Sequence, residues 1–129
     1  MKSNKKNIIK KHFDVLSKSR GDWIKKSQAF YSEDILCMKE FVSKDSKVLE
    51  IGCGNGHLLS SLNPSYGLGI DISKGMIAEA KNQYKDLNFI EADIENIKII
   101  KKIDLVFDYI IISDTIGYFS DIQATLDNL

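Results

Sequence analysis

A glycine-rich turn between a short apolar strand and an apolar helix start constrains this sequence more than any other feature. Residues 47–59 read KVLEIGCGNGHLL, and the part before the glycines has the apolar, partly β-branched character of a buried strand. Gly52, Gly54 and Gly56 allow a tight turn that presents bare backbone to a ligand. Because the first N–H groups of a helix lack intrahelical partners, the sequence predicts that this loop offers them to an electron-rich ligand.

Segments with strand character alternate with segments of helical periodicity along the chain. The pattern predicts strands at 47–51, 66–70, 87–90 and 109–112, and helices at 5–18, at 27–42, after Gly56 up to Asn63-Pro64, from a Ser73 cap to about Tyr84, and from near Asp121. Gly21 and Asp22 are expected to end the first helix. Residues 94–105 fit either a short helix with a loop or extended chain. The alternation indicates an α/β fold with a parallel sheet and right-handed crossovers, preceded by N-terminal helices.

The charges are unevenly distributed although the formal net charge is zero. Residues 1–26 carry nine Lys and Arg against two Asp, whereas residues 27–129 carry nine Lys against sixteen Asp and Glu. The sequence therefore predicts a basic N-terminal helical arm at 1–26 and a separate domain at 27–129. Such an arm is either a solvated helix face, which we favour, or a contact for an anionic partner such as nucleic acid or a lipid surface.

Length and cysteine content set the broad class of the protein. A chain of 129 residues holds one domain at most. Cys37 and Cys53 lie in neither a metal-ligand nor a C-x-x-C spacing, and they predict reduced thiols in a cytoplasmic protein without a metal site. No apolar run approaches the roughly 20 residues that span a bilayer, and no signal-peptide core follows the first lysines.

Polar residues follow three further predicted strands, where the ligands of open α/β sheets bind. Asp71 comes nineteen residues after Gly52, the position of an acid that accepts hydrogen bonds from ribose hydroxyls. Asp93 can accept from an adenine amino group. Helix capping is the alternative for both aspartates. Glu50, a carboxylate in a buried strand, is costly unless it is paired, and it places negative charge near a cationic ligand.

These segments together resemble the class I S-adenosylmethionine-dependent methyltransferases of the small-molecule, Rossmann-like kind. The resemblance rests on VLEIGCGNG at 48–56, GIDIS at 69–73, EADI at 91–94 and FDYIIISD at 107–114, and it covers roughly residues 27–129. It implies S-adenosyl-L-methionine as cofactor and a small-molecule methyl acceptor. The cofactor-binding residues that it implies are Glu50, Gly52, Cys53 and Gly54 for the methionine part, Asp71 and Ile72 for the ribose and adenine, Asp93 and Ile94 for the adenine edge, and Ser113 beside the transfer site.

The implied reaction is an in-line displacement at a sulfonium carbon, so the protein mainly aligns the nucleophile with the methyl group. A general base is needed only when the nucleophile carries a proton. Asp114 is the candidate catalytic base, with helix capping as its alternative. For His57, at a helix start, we favour a surface or packing role. Tyr31 is a candidate for a lid formed by the N-terminal helices.

The sequence departs from the family pattern at its C-terminal end. Family members usually continue with three more strands in the order 3-2-1-4-5-7-6, whereas this chain ends at Leu129, after the fourth predicted strand. The apolar strand 109–112 would then be an open edge. We therefore expect either a fragment of a longer methyltransferase or an edge covered by a partner or a dimer mate.

Two other functions stay open at this stage. An NAD-dependent oxidoreductase would use the same loop and ribose acid, but His57 stands where G-x-G-x-x-G requires glycine. The chain can also be a non-catalytic module that binds the cofactor or a partner chain.

Overall fold

The computed structural model describes residues 2–129, with only the backbone of Lys2; Met1, which belongs to the predicted arm, lies outside the described residues. The elements are α1 (Lys2–Lys26), α2 (Gln28–Phe41), β1 (Lys47–Ile51), α3 (His57–Ser61), β2 (Tyr66–Asp71), α4 (Lys74–Gln83), β3 (Asn88–Glu91), α5 (Ile97–Ile100), β4 (Tyr109–Ile112) and α6 (Ile122–Asp127). The four strands form one parallel sheet in the order β3-β2-β1-β4. The predicted α/β, Rossmann-like class with N-terminal helices is confirmed.

Residues of β1 alternate between two apolar clusters, one on each face of the sheet. Val48 packs with residues of α3 and α4, among them Leu59 and Ile77, in the first cluster. Leu49 packs in the second cluster, which includes Ile94 beyond β3. Because successive side chains of a strand point to opposite faces, this single strand anchors both layers of helices and fixes the loop that follows it.

The first helix is longer than its sequence predicts. The predicted end of this helix at Gly21-Asp22 is wrong, since α1 continues without interruption to Lys26. A glycine inside a helix costs about 1 kcal/mol, which is little compared with what docking of a long helix can contribute. Ile24, beyond the glycine, is buried. Gly75 of α4 approaches α1 so closely that a Cβ there would lie 2.4 Å from Ser17 Oγ.

The second helix has the predicted bounds to within one residue, but much of its apolar side is exposed. Ser27 and Val42 flank it, as expected, yet none of its residues is buried. Phe30, Leu36 and Phe41 are each more than 60% exposed, at 66%, 63% and 72%. Phe30 lines a cavity near the start of α2, and Met38 packs against the first apolar cluster near its end.

The segment between β3 and the C-terminus is mostly irregular. Of the two structures predicted for 94–105, the short helix is present, capped by the Asn96 side chain at the N–H of Lys98. Strand β4 pairs only with β1 among the described residues, so it forms an edge of the sheet. In this edge strand, the Ile110 side chain is 42% exposed. No described helix is both long and apolar enough to cross a bilayer.

Candidate functional site

A cavity of about 360 Å³ opens at the carboxyl edge of the sheet, the size of a small-ligand site. The loop after β1 and the segments after β2, β3 and β4 form its floor, and α1 and α2 form its roof. The structure brings together all ten residues that the sequence nominated, because every one of them lines this cavity: Glu50, Gly52, Cys53, Gly54, Asp71, Ile72, Asp93, Ile94, Ser113 and Asp114. Tyr31 and His57 line it as well.

The glycine loop does not offer its N–H groups as the sequence predicts. The N–H groups of Gly52 and Cys53 donate to the Ile70 carbonyl at 2.7 and 3.1 Å, and that of Gly54 donates to Asp71 Oδ2 at 2.9 Å. The N–H of Gly56 donates to the Cys53 carbonyl at 3.0 Å. These bonds hold the loop against β2 and leave it poorly suited to an anion that needs several backbone donors.

Two residues of this loop contribute to the cavity through their backbone. Gly54 has a φ of 53°, and a Cβ on it would find only Met76 Sδ, at 3.9 Å, so its open side faces the cavity. The Cys53 side chain points the other way, into the core beside Gly69, and its burial raises the pKa of the thiol. Only the backbone of Cys53, and not its side chain, is therefore available for the predicted contact with the cofactor.

Glu50 is a buried carboxyl group with an unused oxygen. Its Oε2 has no hydrogen-bond partner among the described residues, and the residue is only 3% exposed. Burial raises the pKa of Glu50 to about 8; the backbone N–H of Leu59 opposes the rise, and the nearby carboxylates of Asp71 and Asp34 add to it. At neutral pH the group is therefore largely protonated until a cation approaches it.

Asp71 at the end of β2 is held rigidly by two backbone groups. Its Oδ2 accepts from Gly54 at 2.9 Å and its Oδ1 accepts from Ser73 at 2.8 Å. Burial raises the pKa of Asp71, and these N–H groups, with that of Ile72, hold the rise back. Each carboxylate oxygen keeps a further lone pair, so the side chain can still accept two hydrogen bonds from a ligand in the cavity.

The roof helix α1 contacts the segments beyond the carboxyl ends of three strands, β3 and β2 through polar side chains and β4 through an aromatic contact. Lys6 forms ion pairs with Asp93 and, at 2.8 Å, with Glu95, both beyond β3. Two turns later Asp14 accepts from Ser73 Oγ at 2.6 Å and from the Gly75 N–H at 2.9 Å, after β2. These bonds lower the pKa of Asp14. The basic helix thus finds anionic partners within the same chain, an outcome that its composition alone left open.

Asp93 and Glu95 are both engaged by other groups of the chain. Asp93 Oδ1 accepts from the Glu95 N–H at 3.0 Å, while its Oδ2 meets Lys6. Glu95 Oε1 accepts from the N–H groups of Ser120 and Asp121, each at 2.8 Å. Burial alone would raise the pKa of Glu95, but Lys6 and these two N–H groups lower it. Glu95 therefore ties α1 to the segment that precedes α6.

We expect Lys6→Met to weaken the docking of α1 while the sheet keeps its fold. The substitution removes both ion pairs and should lower the free energy of unfolding by about 1 kcal/mol at low salt, the scale of a part-exposed charge network. Urea denaturation at low and high salt measures this difference, which should shrink with salt because the charges become screened. Lys5→Met, on the exposed side of the same helix, is the control. Equal stability of the two variants at low salt would contradict the prediction.

The floor beyond β4 carries hydroxyl and carboxyl groups on a turn. Asp114 is in the left-handed region with a φ of 53°, a conformation that Asp tolerates better than most residues. The Thr115 hydroxyl donates to the Ser113 carbonyl at 2.9 Å. Tyr118, in a single 3-10 turn at Ile116–Tyr118, packs edge-on against Phe13 of α1, with ring centroids 5.3 Å apart. This contact joins the roof to the end of β4.

Sequence analysis did not identify the charged residues of the roof. Lys6, Arg20 and Asp34 line the cavity, but none of them lies in a recognisable motif. The only available signal was the excess of positive charge in residues 1–26 against the acidic remainder. That signal indicates attraction between the two parts but does not identify the partners.

Comparison with known proteins gives evidence about the family of this chain that does not depend on the geometry of the cavity. A family profile described as a methyltransferase domain matches residues 42–129. The chain is 30% identical over 132 aligned positions to malonyl-[acyl-carrier protein] O-methyltransferase of Priestia megaterium, an alignment that covers 96% of this chain and 46% of that protein. It is 42% identical over 64 residues to trans-aconitate 2-methyltransferase of Escherichia coli, covering 46% of this chain and 25% of the relative.

Solved structures share the fold. Magnesium protoporphyrin IX methyltransferase from Synechocystis PCC 6803, determined with bound SAM, superposes with a TM-score of 0.73 at 18% identity. The match covers 96% of this chain and 69% of that one. The chain spans about half of the malonyl-[acyl-carrier protein] enzyme and a quarter of the trans-aconitate enzyme.

Proposed function

The chain belongs to the class I methyltransferase family, and from that premise we propose that it binds S-adenosyl-L-methionine and takes part in transferring its methyl group to a small-molecule acceptor. The observation that carries the proposal is the convergence of the glycine loop, Glu50, Asp71 and Asp93 on one cavity, in the order of their strands. Because this order spreads the polar groups along the sheet edge, an elongated nucleoside with a charged tail suits the cavity.

The charges of the cavity favour this cofactor over a dinucleotide. The unpartnered oxygen of buried Glu50 suits the ammonium group of an amino-acid tail, which would give it both a hydrogen bond and a counter-charge. A pyrophosphate would instead face Glu50 across a loop in which the N–H groups of the three glycines and of Cys53 are already used. These two features argue against the NAD-dependent alternative.

The proposed contacts follow the strand ends. Glu50 and the backbone of Gly52, Cys53 and Gly54 would hold the methionine part, and Asp71 would accept from the ribose hydroxyls beside Ile72. Asp93 and Ile94 would border the adenine, and Ser113 would lie beside the transfer site. When bound, the cofactor supplies an electrophilic methyl group with a neutral thioether as its leaving group. The residues of the chain then orient the two reactants and exclude water from them.

Asp114 is proposed as the general base for an acceptor that carries a proton. Its place on the turn after β4 puts its carboxylate on the cavity wall, next to Ser113. Capping of a following helix, the alternative, falls to Asp121, whose Oδ1 accepts from the Ala124 N–H at 3.0 Å.

The remaining expectations from the sequence are part of the proposal. Residues 1–26 are proposed as a basic arm that serves as the roof of the cavity, and residues 27–129 as part of a methyltransferase domain. We propose a cytoplasmic location, a small-molecule rather than a nucleic-acid partner, and an exposed β4 edge that is covered by further chain or by a dimer mate. The exposure of Ile110 on this edge supports the last point.

The test is calorimetric titration with S-adenosylmethionine, S-adenosylhomocysteine and NAD, on the wild type and on Gly54→Val. We expect the wild type to bind the first two ligands and not NAD. Valine at Gly54 places a branched side chain in the cavity at a positive φ, and it should abolish binding while the α/β circular-dichroism signal remains. Gly117→Val is the matched control, because a Cβ there meets nothing within 4 Å.

Three outcomes separate the alternatives. Binding of NAD alone would refute the proposal. Binding of S-adenosylmethionine without methyl transfer to any acceptor would favour a non-catalytic module. A Gly54→Val variant that binds as tightly as Gly117→Val would show that the ligand does not contact this loop.

A further inference from the structure

The roof of the cavity carries a cation that forms no ion pair with the carboxylates of the described residues. Arg20, on α1, lines the cavity, and its guanidinium carbon lies 5.3 Å from the centroid of the Tyr31 ring. The ion pairs formed by the described residues involve Lys6 and Lys10 and not Arg20. A guanidinium held on an aromatic face keeps its in-plane N–H donors available, which suits a planar anion such as a carboxylate.

His57 adds a neutral donor beside this cation. Its ring lies edge-on to Tyr31, with centroids 6.1 Å apart, at the start of α3. Burial and the charge of Arg20 lower the pKa of His57, so at neutral pH the ring is uncharged and donates one N–H. Arg20, Tyr31 and His57, here called the roof cluster, thus combine one fixed positive charge with a phenol and an imidazole. All three line the cavity.

The carboxyl groups near the roof cluster leave its charge available. Glu50 is largely protonated at neutral pH, since its pKa is about 8. Asp34, on α2, lines the same cavity but does not come within ion-pair distance of Arg20. Asp93 and Glu95 are already paired with Lys6. An incoming anion therefore meets an uncompensated Arg20 rather than an existing salt bridge that it would have to break.

We propose that the roof cluster is a recognition site for one carboxylate group of the bound reactants. The inference rests on the proposed function, because it takes the cavity as a methyl-transfer site. Two carboxylates can supply this group: that of the cofactor's amino-acid tail and that of a carboxylic-acid acceptor. Both need the same contacts, namely a bidentate hydrogen bond from Arg20 with neutral donors at its side.

A carboxylate acceptor would also simplify the chemistry. A lone pair of a carboxylate oxygen forms the new bond to the methyl carbon as the sulfur–carbon bond breaks, and the bonding pair returns to sulfur. The anionic oxygen and the cationic sulfonium become a neutral methyl ester and a neutral thioether. No proton has to leave the acceptor, so Asp114 would be dispensable for such a substrate.

The experiment compares Arg20→Gln, Arg20→Lys and the control Lys18→Gln, which removes one exposed charge from the same helix. Each protein is titrated calorimetrically with S-adenosylhomocysteine and with 5′-methylthioadenosine, which lacks the amino-acid tail. In parallel, succinate is titrated into ligand-free and S-adenosylhomocysteine-saturated protein while the ring signals of Tyr31 and His57 are followed by NMR. Arg20→Lys keeps the charge without the planar donors and should give an intermediate effect.

Two results would support the site and identify the carboxylate. If it is the cofactor's, Arg20→Gln weakens S-adenosylhomocysteine about tenfold or more but leaves 5′-methylthioadenosine unchanged. If it is the acceptor's, Arg20→Gln leaves both nucleosides unchanged but abolishes the saturable ring shifts that succinate causes in the saturated wild type. Lys18→Gln behaves as the wild type in either case.

Other results would overturn it. The site does not exist if Arg20→Gln changes neither response, or if it weakens 5′-methylthioadenosine as much as S-adenosylhomocysteine, which would indicate a structural role. A wild type that binds neither nucleoside would refute the proposed function alone. In that case, the ring shifts that succinate causes in the ligand-free protein test the roof cluster. Shifts that are present in the wild type and lost in Arg20→Gln support the site. Absence of these shifts from the wild type refutes it.

Discussion

Asp71→Ala is expected to weaken S-adenosylhomocysteine binding by about 1.5–3 kcal/mol, a tenfold to hundredfold loss of affinity. The proposed ribose contact disappears, and so do the two acceptors that hold the N–H groups of Gly54 and Ser73. The second loss adds to the first, because the glycine loop is no longer fixed against β2. Calorimetric titration measures the affinity, with Asp86→Ala in the exposed turn before β3 as the control.

A second ligand separates the two causes. A 2′,3′-dideoxy analogue of S-adenosylhomocysteine cannot donate from its ribose, so the penalty of Asp71→Ala should shrink with it if Asp71 binds the hydroxyls. A penalty of the same size with both ligands would assign the whole effect to the loop. An affinity of Asp71→Ala within about twofold of the wild type would contradict the ribose assignment.

Glu50→Gln should stabilise the ligand-free protein at neutral pH while it weakens cofactor binding. The pKa of Glu50 is about 8 in the folded protein against a reference of 4.5, so between these values the folded state holds a proton that the unfolded state has lost. Stability therefore falls as pH rises through this window. At pH 7 the cost is on the order of 3 kcal/mol, which glutamine removes because it stays neutral.

Urea denaturation at several pH values from 5 to about 8 checks this prediction. The wild type should lose stability across the range, and Glu50→Gln should lose much less. A residual slope of the same sign is expected, because burial also raises the pKa of Asp71. Glu79→Gln, on the exposed face of α4, is the matched control and should keep the slope of the wild type. A wild-type stability that does not change with pH would contradict the prediction.

Cofactor binding should release the same proton. An ammonium group beside Glu50 stabilises the carboxylate, so binding at pH 7 should release close to one proton from the wild type and close to none from Glu50→Gln. Calorimetry in two buffers with different ionisation enthalpies gives this number directly. Proton release that is equal in both proteins would place the ammonium group elsewhere.

Sequence analysis was most successful where local patterns act alone. The strand 47–51, the turn at Gly52–Gly56 and the Ser73 cap on α4 each depend on a few neighbouring residues, and the structure has all three. The order of the strands, β3-β2-β1-β4, agrees with the order that the family resemblance implies. Convergence of the nominated residues on one cavity was predictable because parallel strands end at a common edge.

The contacts of the roof could not be predicted, because they depend on residues that are far apart in the sequence rather than on local patterns. The contact of Lys6 with Asp93 joins residues 87 positions apart, and nothing local in either segment specifies the other. The use of the loop N–H groups was also missed, because it depends on the register between β1 and β2, which places the Ile70 carbonyl opposite the turn. A glycine-rich turn indicates where a ligand approaches, but its neighbours decide which donors are left.

The path of α1 across three strand ends has a consequence for the order of folding. This helix leaves the ribosome well before its partners, because Asp93 and Glu95 are synthesised almost ninety residues after Lys6. Closing so large a loop is entropically unfavourable until the sheet exists, so α1 should dock after the sheet has formed. The nascent protein would then pass through a stage in which its floor is complete and its roof is absent. A cofactor could enter at that stage without displacing the helix.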